Sequence, residues 1–585
     1  MIKRVFRQML ITQILSAMTV TLCMLIDSIM IGRFLGVDAM TAYGLASPVL
    51  LFFAAFGSML SAGIQVMCGK TLGSGDKEGT NACFSASVFL AGAVAVIGVA
   101  AVVLFSSPLT TMLGGGKPAA DNEVFRLTRD YLIGFIIGAP AFIFAQIMVP
   151  YLQISGNRAR LVTAVALMTV SDIIFDLLTV FVFHGGTFGM GLASSLSYYI
   201  AFVVGVLYFF KKDCMFRFRR ESITAKVCGR LTQYGVPTVI NQISLVLLVF
   251  VLNKLLLHAG GNAAVAAYSV ISTVGNICYC FGSGVASVAL MLSAVFYSDE
   301  DRTSLYGVVK TMTFYAVILD LVLIAAVLTA APALVKLFLQ PGSGAGRLAV
   351  TGLRLFSLSL LASALNTAFK NYYQGVNRTP LTEIISLLQN FVLTALFAFI
   401  LSRFWGTTGV WLGYVCGEGL TFVLLSLYVW HLRDKVEVSA EAYSLLEDDF
   451  GAAPGEFLEA TARTSEEVVE ASRRADDFCR EHGESARNSM MIALCIEEMA
   501  NNIVEHGFTK DNKTDHSIDI RLLYKDGKKV IRIRDNCVNF DPIHYLELHS
   551  DEDPTVHIGI RMVMKMVKEA NYVNSLGLNN LTLVM

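Results

Sequence analysis

The sequence predicts an all-α polytopic membrane bundle of twelve transmembrane helices, built as two six-helix repeats and followed by a soluble α/β sandwich domain. Three observations carry that prediction: twelve apolar runs of spanning length, echoes between the two halves of the apolar region, and a change to charged, periodic sequence after about Leu432. Composition agrees. Hydrophobic residues make up 55% of the 585 and charged residues 16%, with mean hydropathy +0.61, whereas soluble domains carry about 25% charge. A net charge of −1 argues against a nucleic-acid partner, which calls for concentrated Lys and Arg. The 11 cysteines form no CxxC pair or Cys/His metal spacing, so zinc and a disulfide framework are not expected.

Runs long enough for a hydrocarbon core of about 30 Å fall at 9–31, 45–68, 82–106, 131–152, 161–183 and 190–210. After the polar stretch KKDCMFRFRRESITAKVCGR, six more fall at 234–257, 266–294, 310–337, 350–373, 383–403 and 408–431. The first half is therefore 1–210, a basic connection 211–233 and the second half 234–435. The opening MIKRVFRQML has the charge of a signal-peptide n-region, but the run behind it has spanning length and many successors, so it reads as a first span. Twelve spans put both termini on one side. Lys3, Arg4, Arg7, Arg158, Arg160, the cluster Lys211 to Arg230, Arg378, Arg433 and Lys435 lie in alternate loops, which the positive-inside rule assigns to the cytosol. Lys117, Arg126 and Arg129 depart from that bias. The expected location is the inner cell membrane, multi-pass, with both termini cytosolic.

The halves echo one another. YLQISGNRARL at 151–161 and YYQGVNRTPL at 372–381 share Tyr, Gln and Asn-Arg after the fourth and tenth spans, and GVDAMTAYGLAS at 36–47 resembles GNAAVAAYSVIS at 261–272. Repeated halves are how many secondary transporters build a site at their mutual interface.

Acids within spans need an explanation, because a carboxylate at the bilayer centre costs about 2.5–3.5 kcal/mol even on the lenient insertion scale. Asp172 and Asp176, spaced i, i+4, share a face of the fifth span, where two carboxylates repel. Either one holds a proton or the two share a cation, as an antiporter exchanging a proton or metal ion requires. Alternatively they are a structural pair neutralised by a neighbouring helix. Asp27 in MLIDSIMIG is either a third member or an acid that snorkels to the interface. Asp320 and Glu418 are open between function and packing, whereas Lys254 and Lys370 are expected to snorkel. The repeat places Asn390 opposite Asp172 and Thr394 opposite Asp176, so any ion exchange at these positions belongs to the first half.

Together IDSIMIGRFLG, GKTLGSGDKEG and QGVNRTP, in that order on a six-plus-six repeat, resemble the multidrug and toxic compound extrusion (MATE) family over the first 430 or so residues. The resemblance implies export of organic cations and related compounds against inward Na⁺ or H⁺, from a lipid bilayer. It also implies a first-half ion site at Asp27, Asp172, Asp176 and Ser194, with Asp in place of the family's Asn at 172 and Ser in place of Thr at 194.

After an acidic linker at 436–459, RTSEEVVEASRRADDFCREHG has the period of an amphipathic soluble helix, and SIDIRLLYKDGKKVIRIRD alternates around Asp526-Gly527 as a hairpin does. In ALCIEEMANNIVEHG, Glu498, Asn502 and His506 are spaced by four along one helix face. That face is either solvated or able to hold Mg²⁺ through the Asn amide oxygen, with Glu498 orienting water.

With NCVNFDP after Asp535 and HIGIRMVMKMV opening a helix, residues 460–585 resemble the histidine-kinase-like (GHKL) ATPases, most closely the anti-sigma-factor serine kinases. The resemblance implies Mg²⁺ and ATP as cofactors, Glu498 as catalytic base, Asn502 as Mg²⁺ ligand, His506 in the nucleotide site, Asp535 on the adenine amino group, and Gly559 beside the phosphates. Cys537 replaces the first box's Gly and His557 the first Gly of the phosphate turn, so binding is expected ahead of turnover. No Walker-type loop is present, so the domain reads as a regulator rather than a motor. Competing readings are a membrane-anchored sensor or serine kinase with a cytosolic regulatory protein as partner, and a lipid-linked oligosaccharide flippase, which would need a basic cavity.

Overall fold

The computed structural model describes residues 2–115, 122–211, 214–339, 344–432, 439–447, 450–452, 455–510, 516–525, 528–548 and 558–585. Lys117, Arg433, Lys435, the hairpin turn Asp526-Gly527, His557 and, within the expected linker, residues 436–438, 448–449 and 453–454 lie outside these residues. Among the described residues, nine helices are long and apolar enough to cross a membrane, and two bent pairs, Glu123–Ile136 with Ala139–Ile154 and Gly344–Ser357 with Leu360–Gly375, supply two more spans. The ninth of those helices, Thr379–Leu432, has 54 residues. At 1.5 Å per residue that is about 80 Å, over twice the hydrocarbon core, and Gly406 at φ 55°, ψ −131° breaks it. It therefore makes two crossings, and twelve result. Bulky apolar side chains such as Val96, Ile97, Leu104, Val322 and Phe404 cover the outside of the bundle, as lipid contact requires.

The repeat is written in the backbone as well as in the residues. Gly36 and Gly261 take positive φ between the first two spans of each half, Gly75 and Glu300 between the second and third, Gly156 and Asn377 between the fourth and fifth, and Gly186 and Gly406 before or at the sixth. Both bent pairs turn by 47°. Asp76 and Asp301 cap the third and ninth spans, accepting from Gly79 N at 2.8 Å and Ser304 N at 3.0 Å, which satisfies N–H groups with no intrahelical partner.

The C-terminal domain is one antiparallel sheet in the order β1-β2-β3-β5-β4, where β1 is Phe457–Ala462, β2 Ile518–Lys525, β3 Lys528–Asp535, β4 Glu569–Ser575 and β5 Leu578–Val584. β1 begins inside the stretch expected to be linker. Period-two alternation sends Ile520, Leu522, Ile531, Ile533, Leu581 and Leu583 to one face, where they pack with Val468, Ile492, Cys495 and Ile496 of helices Ser465–Glu481 and Ala486–Asn502. β2 and β3, the two strands of the expected hairpin, pair antiparallel as far as Lys525 and Lys528.

Part of the expected linker is pinned to the membrane domain. Tyr373 Oη donates to Tyr443 O at 2.9 Å, Tyr443 Oη to Ser426 Oγ at 2.7 Å, and the Arg302 guanidinium to Glu447 O at 2.6 Å and Phe450 O at 2.9 Å.

Candidate ion site, central cavity and nucleotide pocket

Asp27 comes from the first span, Asp172 and Asp176 from the fifth, and Ser194 from the sixth. All four are buried, so Asp27 does not snorkel. One oxygen from each carboxylate lies within 4.8 Å of the others. Ser194 Oγ donates to Asp27 Oδ2 at 3.1 Å, and Ser197 Oγ donates to Asp172 Oδ1 at 2.8 Å. Ser197 is not among the residues the sequence singles out; its signal is the i, i+3 spacing from Ser194, which gives the sixth span two hydroxyls on one face. Asp27 Oδ1, Asp172 Oδ2 and both Asp176 oxygens are buried without a hydrogen-bond partner. Three carboxylates this close do not all ionise without positive charge. The donor set of carboxylate and hydroxyl oxygens is hard, which fits Na⁺ or shared protons.

The second half keeps polarity at the matching positions without those acids. Asn390 Nδ2 donates to Asn241 Oδ1 at 2.7 Å and Thr394 Oγ1 to Gln389 O at 3.0 Å. Glu418 accepts from Asn366 Nδ2 at 3.0 Å, and with Asp320 lines a cavity of about 350 Å³. Lys370 departs from expectation: it is buried, and its Nζ donates to Asn241 Oδ1 at 2.6 Å. Its ammonium is held by the side-chain carbonyl of Asn241 on another span instead of extending along its own helix toward an interface. Lys254 is exposed and lies over the Phe250 ring, 4.4 Å from its centroid.

Between the halves lies a central cavity of about 460 Å³, walled by residues of both, including Gln13, Gln65, Gln146, Tyr198, Asn241 and Gln374. Among the described lining residues the one charged side chain is Lys370. The acid cluster lies behind this wall, with Tyr198 and Met168 of the sixth and fifth spans on the cavity side.

In the C-terminal domain, Glu498, Asn502, His506, Asp535 and Gly559 line one cavity of about 580 Å³. Glu498 and Asn502 are half-buried rather than a solvated face, and His506 is exposed on a π-helical turn at Ile503–Gly507. A Cβ on Gly559 would stand 2.1 Å from Glu498 Oε2, so any larger residue at 559 would displace the Glu498 carboxylate from the helix start Ile558–Met566. Asp535 Oδ1 accepts from Cys537 N and Asn579 Nδ2, both at 2.8 Å, which leaves Oδ2 for a ligand amino group. Burial pushes the Asp535 carboxyl up, opposed by the bonds from Cys537 and Asn579. Cys537 has no positive φ, so the glycine it replaces is not required for backbone reasons. Asn579, bonded also by Tyr572 Oη at 2.6 Å and Asn574 Nδ2 at 2.8 Å, carries no sequence signal of its own, because its role depends on β5 lying beside β3.

Comparison with known proteins agrees with this architecture. The MatE family pattern matches residues 13–178 and 237–400, and the histidine kinase-like ATPase domain matches 461–585. Multidrug export protein MepA of Staphylococcus aureus (strain bovine RF122 / ET3-1) is 24% identical over 403 residues, covering 68% of this chain and 87% of its own. MepA of Staphylococcus saprophyticus is 23% identical over 409 residues, covering 69% and 88%. Among solved structures, MATE in the straight conformation superposes with TM-score 0.69 at 20% identity, over 74% of this chain and 96% of its own. A point mutant of the Vibrio cholerae MATE transporter VcmN gives 0.68 at 17% identity, over 76% and 98%. With the MatE pattern spanning more than half of it, the chain belongs to the MatE family of multi-pass membrane transporters and ends in a histidine kinase-like ATPase domain.

Proposed function

We propose that the protein is an ion-coupled antiporter that exports amphiphilic organic compounds across the cytoplasmic membrane, with a cytosolic nucleotide-binding domain that regulates it. One observation carries the coupling: three buried carboxylates with four oxygens lacking partners, beside a cavity shared by both halves. Inward Na⁺ or H⁺ neutralises the cluster, and its release frees the acids for the next cycle. The ion gradient supplies the work, so ATP on the C-terminal domain acts on the cycle without driving it. Export of drugs is named for the MepA relatives, and the cavity's amides and rings suit many ligands.

The described wall of the cavity carries no carboxylate and one lysine, so the exported compound needs no positive charge. One lysine is also too little cationic surface for a lipid-linked phosphate, which disfavours the flippase reading. Positive charge in the connecting loops supports a cytosolic C-terminal domain.

Cells loaded with a fluorescent substrate and expressing the chain test this directly. Asp176→Asn is expected to abolish efflux at unchanged membrane abundance, and undiminished efflux by that variant would remove the ion-site assignment.

A further inference from the structure

The sheet face opposite the helices of the C-terminal domain rests on the membrane domain and touches both of its halves. On the first half, Asn571 Nδ2 of β4 donates to Gly75 O at 3.1 Å, and Leu576 N at the β4–β5 turn donates to Ile154 O at 2.7 Å. Leu576 and Gly577 take φ 61° and 75°, the pairing of a tight two-residue hairpin turn. The tip lies so close that a Cβ on Gly156 would be 2.8 Å from Gly577 Cα. Val573, Leu576 and Leu578 share a buried cluster with membrane-domain residues such as Tyr151 and Leu152.

On the second half, three arginines from β2 and β3 meet two aspartates of the loop between the eighth and ninth spans. Arg532 pairs with Asp299 at 3.1 Å, Arg534 with Asp299 at 2.8 Å and with Asp301 at 3.6 Å, and Arg521 with Asp301 at 2.5 Å. The last is a charge contact rather than an aligned hydrogen bond. Asp299 and Asp301 are both buried, so neither can lose its arginines without regaining water.

The two halves also close on each other at this side. Gly63, Gly69 and Gly73 of the second span bring its backbone against Leu231, which leads into the second half, and Ala294 and Val295 within it. Lys70 Nζ donates to Asn377 Oδ1 at 3.1 Å and lies over the Tyr234 ring, and Ser298 Oγ donates to Lys70 O. A transporter that alternates must part these contacts to open on the side that carries both termini.

We propose that the C-terminal domain is a clamp on this alternation: seated across loops of both halves, it holds the termini side closed, and that side opens only when the domain releases one half. This rests on the export reading, since a transporter needs that opening. The first half is the one released. Its hold is a few neutral hydrogen bonds and apolar contacts, whereas the second half keeps the arginine pairs with Asp299 and Asp301 and the pinned linker at Tyr443 and Phe450. The nucleotide pocket is built on the clamp's own strands, which places it where it can control the seating.

The test is a distance. Spin labels on Glu78→Cys in the first half and Pro380→Cys in the second, with Cys228 and Cys416 changed to Ser, report the separation of the halves in the full chain. The unaltered clamp is expected to give one short distance. Leu576→Glu, which breaks the first-half contact, and Arg532→Ala with Arg534→Ala, which breaks the second, are each expected to add a longer population. Each variant is checked for a monodisperse profile, and either one suffices. If both keep the unaltered distribution, the clamp is rejected. The readout does not use transport, so intact export with unchanged distances rejects the clamp alone, whereas absent export strikes the export reading.

Discussion

Arg534 and Asp535 are neighbours on β3 that face opposite sides of the sheet. Arg534 pairs with Asp299 of the membrane domain at 2.8 Å, while Asp535 accepts from Asn579 inside the candidate nucleotide pocket at 2.8 Å. A strand alternates its side chains, so one strand end joins pocket and seat. β5 repeats the arrangement, with Asn579 in the pocket and Leu578 against the membrane domain.

If pocket and seat are coupled, the coupling is reciprocal. Arg534→Ala, which touches only the seat, is therefore expected to change the Kd of the full chain for Mg·ATP by about fivefold or more. Calorimetry on the detergent-solubilised chain measures it. An unchanged Kd means that nucleotide and seating are independent.

Asp535→Asn should weaken nucleotide binding by about tenfold or more, since hydrogen bonds to charged groups contribute about 1.5–3 kcal/mol. The fold should survive, because Asn keeps an oxygen for the Cys537 N–H and Asn579. Equal affinity in the variant removes Asp535 from the nucleotide site.

Affinity for ATP should also depend on pH through this carboxyl. An adenine amino group bonds the ionised form, so the bound pKa lies below the unbound one, and affinity is full above the unbound value and lost as pH falls through it. Burial has raised that unbound value, so the decline begins above the ordinary range of about 3.9. For folding alone the sign is opposite: a raised pKa in the folded state makes this group's contribution more favourable as pH falls. Nucleotide titrations at stepwise lower pH should show the decline in the native chain and not in Asp535→Asn.

Ser194→Ala and Ser197→Ala each remove one hydroxyl from a buried carboxylate, Asp27 and Asp172 respectively. Each should shift the half-saturating concentration of the coupling ion by about tenfold, given the worth of a hydrogen bond to a charged group. Transport measured against ion concentration reads the shift. No shift in either variant would separate the serines from the coupling site.

Much of this is legible in the sequence because its signals are local. Span length, the i, i+4 acids and the Asp535 strand end are set by residues near in the chain, and the echo at Tyr151 and Tyr372 exposes the repeat. Asn579 and the Asp299–Asp301 loop are not, because each acquires its partner only through folding across tens or hundreds of residues, and the spacing of Ser197 from Ser194 does not reveal Asp172 as its partner. Lys370 reads as a snorkelling residue for the same reason: its acceptor, Asn241, lies on a different span. The linker misleads by composition, since its acids and small residues hide Tyr443 and Phe450, which lock it in place.

Ion coupling is tested by transport in proteoliposomes with an imposed inward Na⁺ or proton gradient, comparing the native chain with Asp176→Asn. One of the two gradients should drive substrate counterflow by the native chain without ATP, and Asp176→Asn should abolish it. Transport that ignores both gradients, or that requires ATP hydrolysis, would rule out ion-driven antiport.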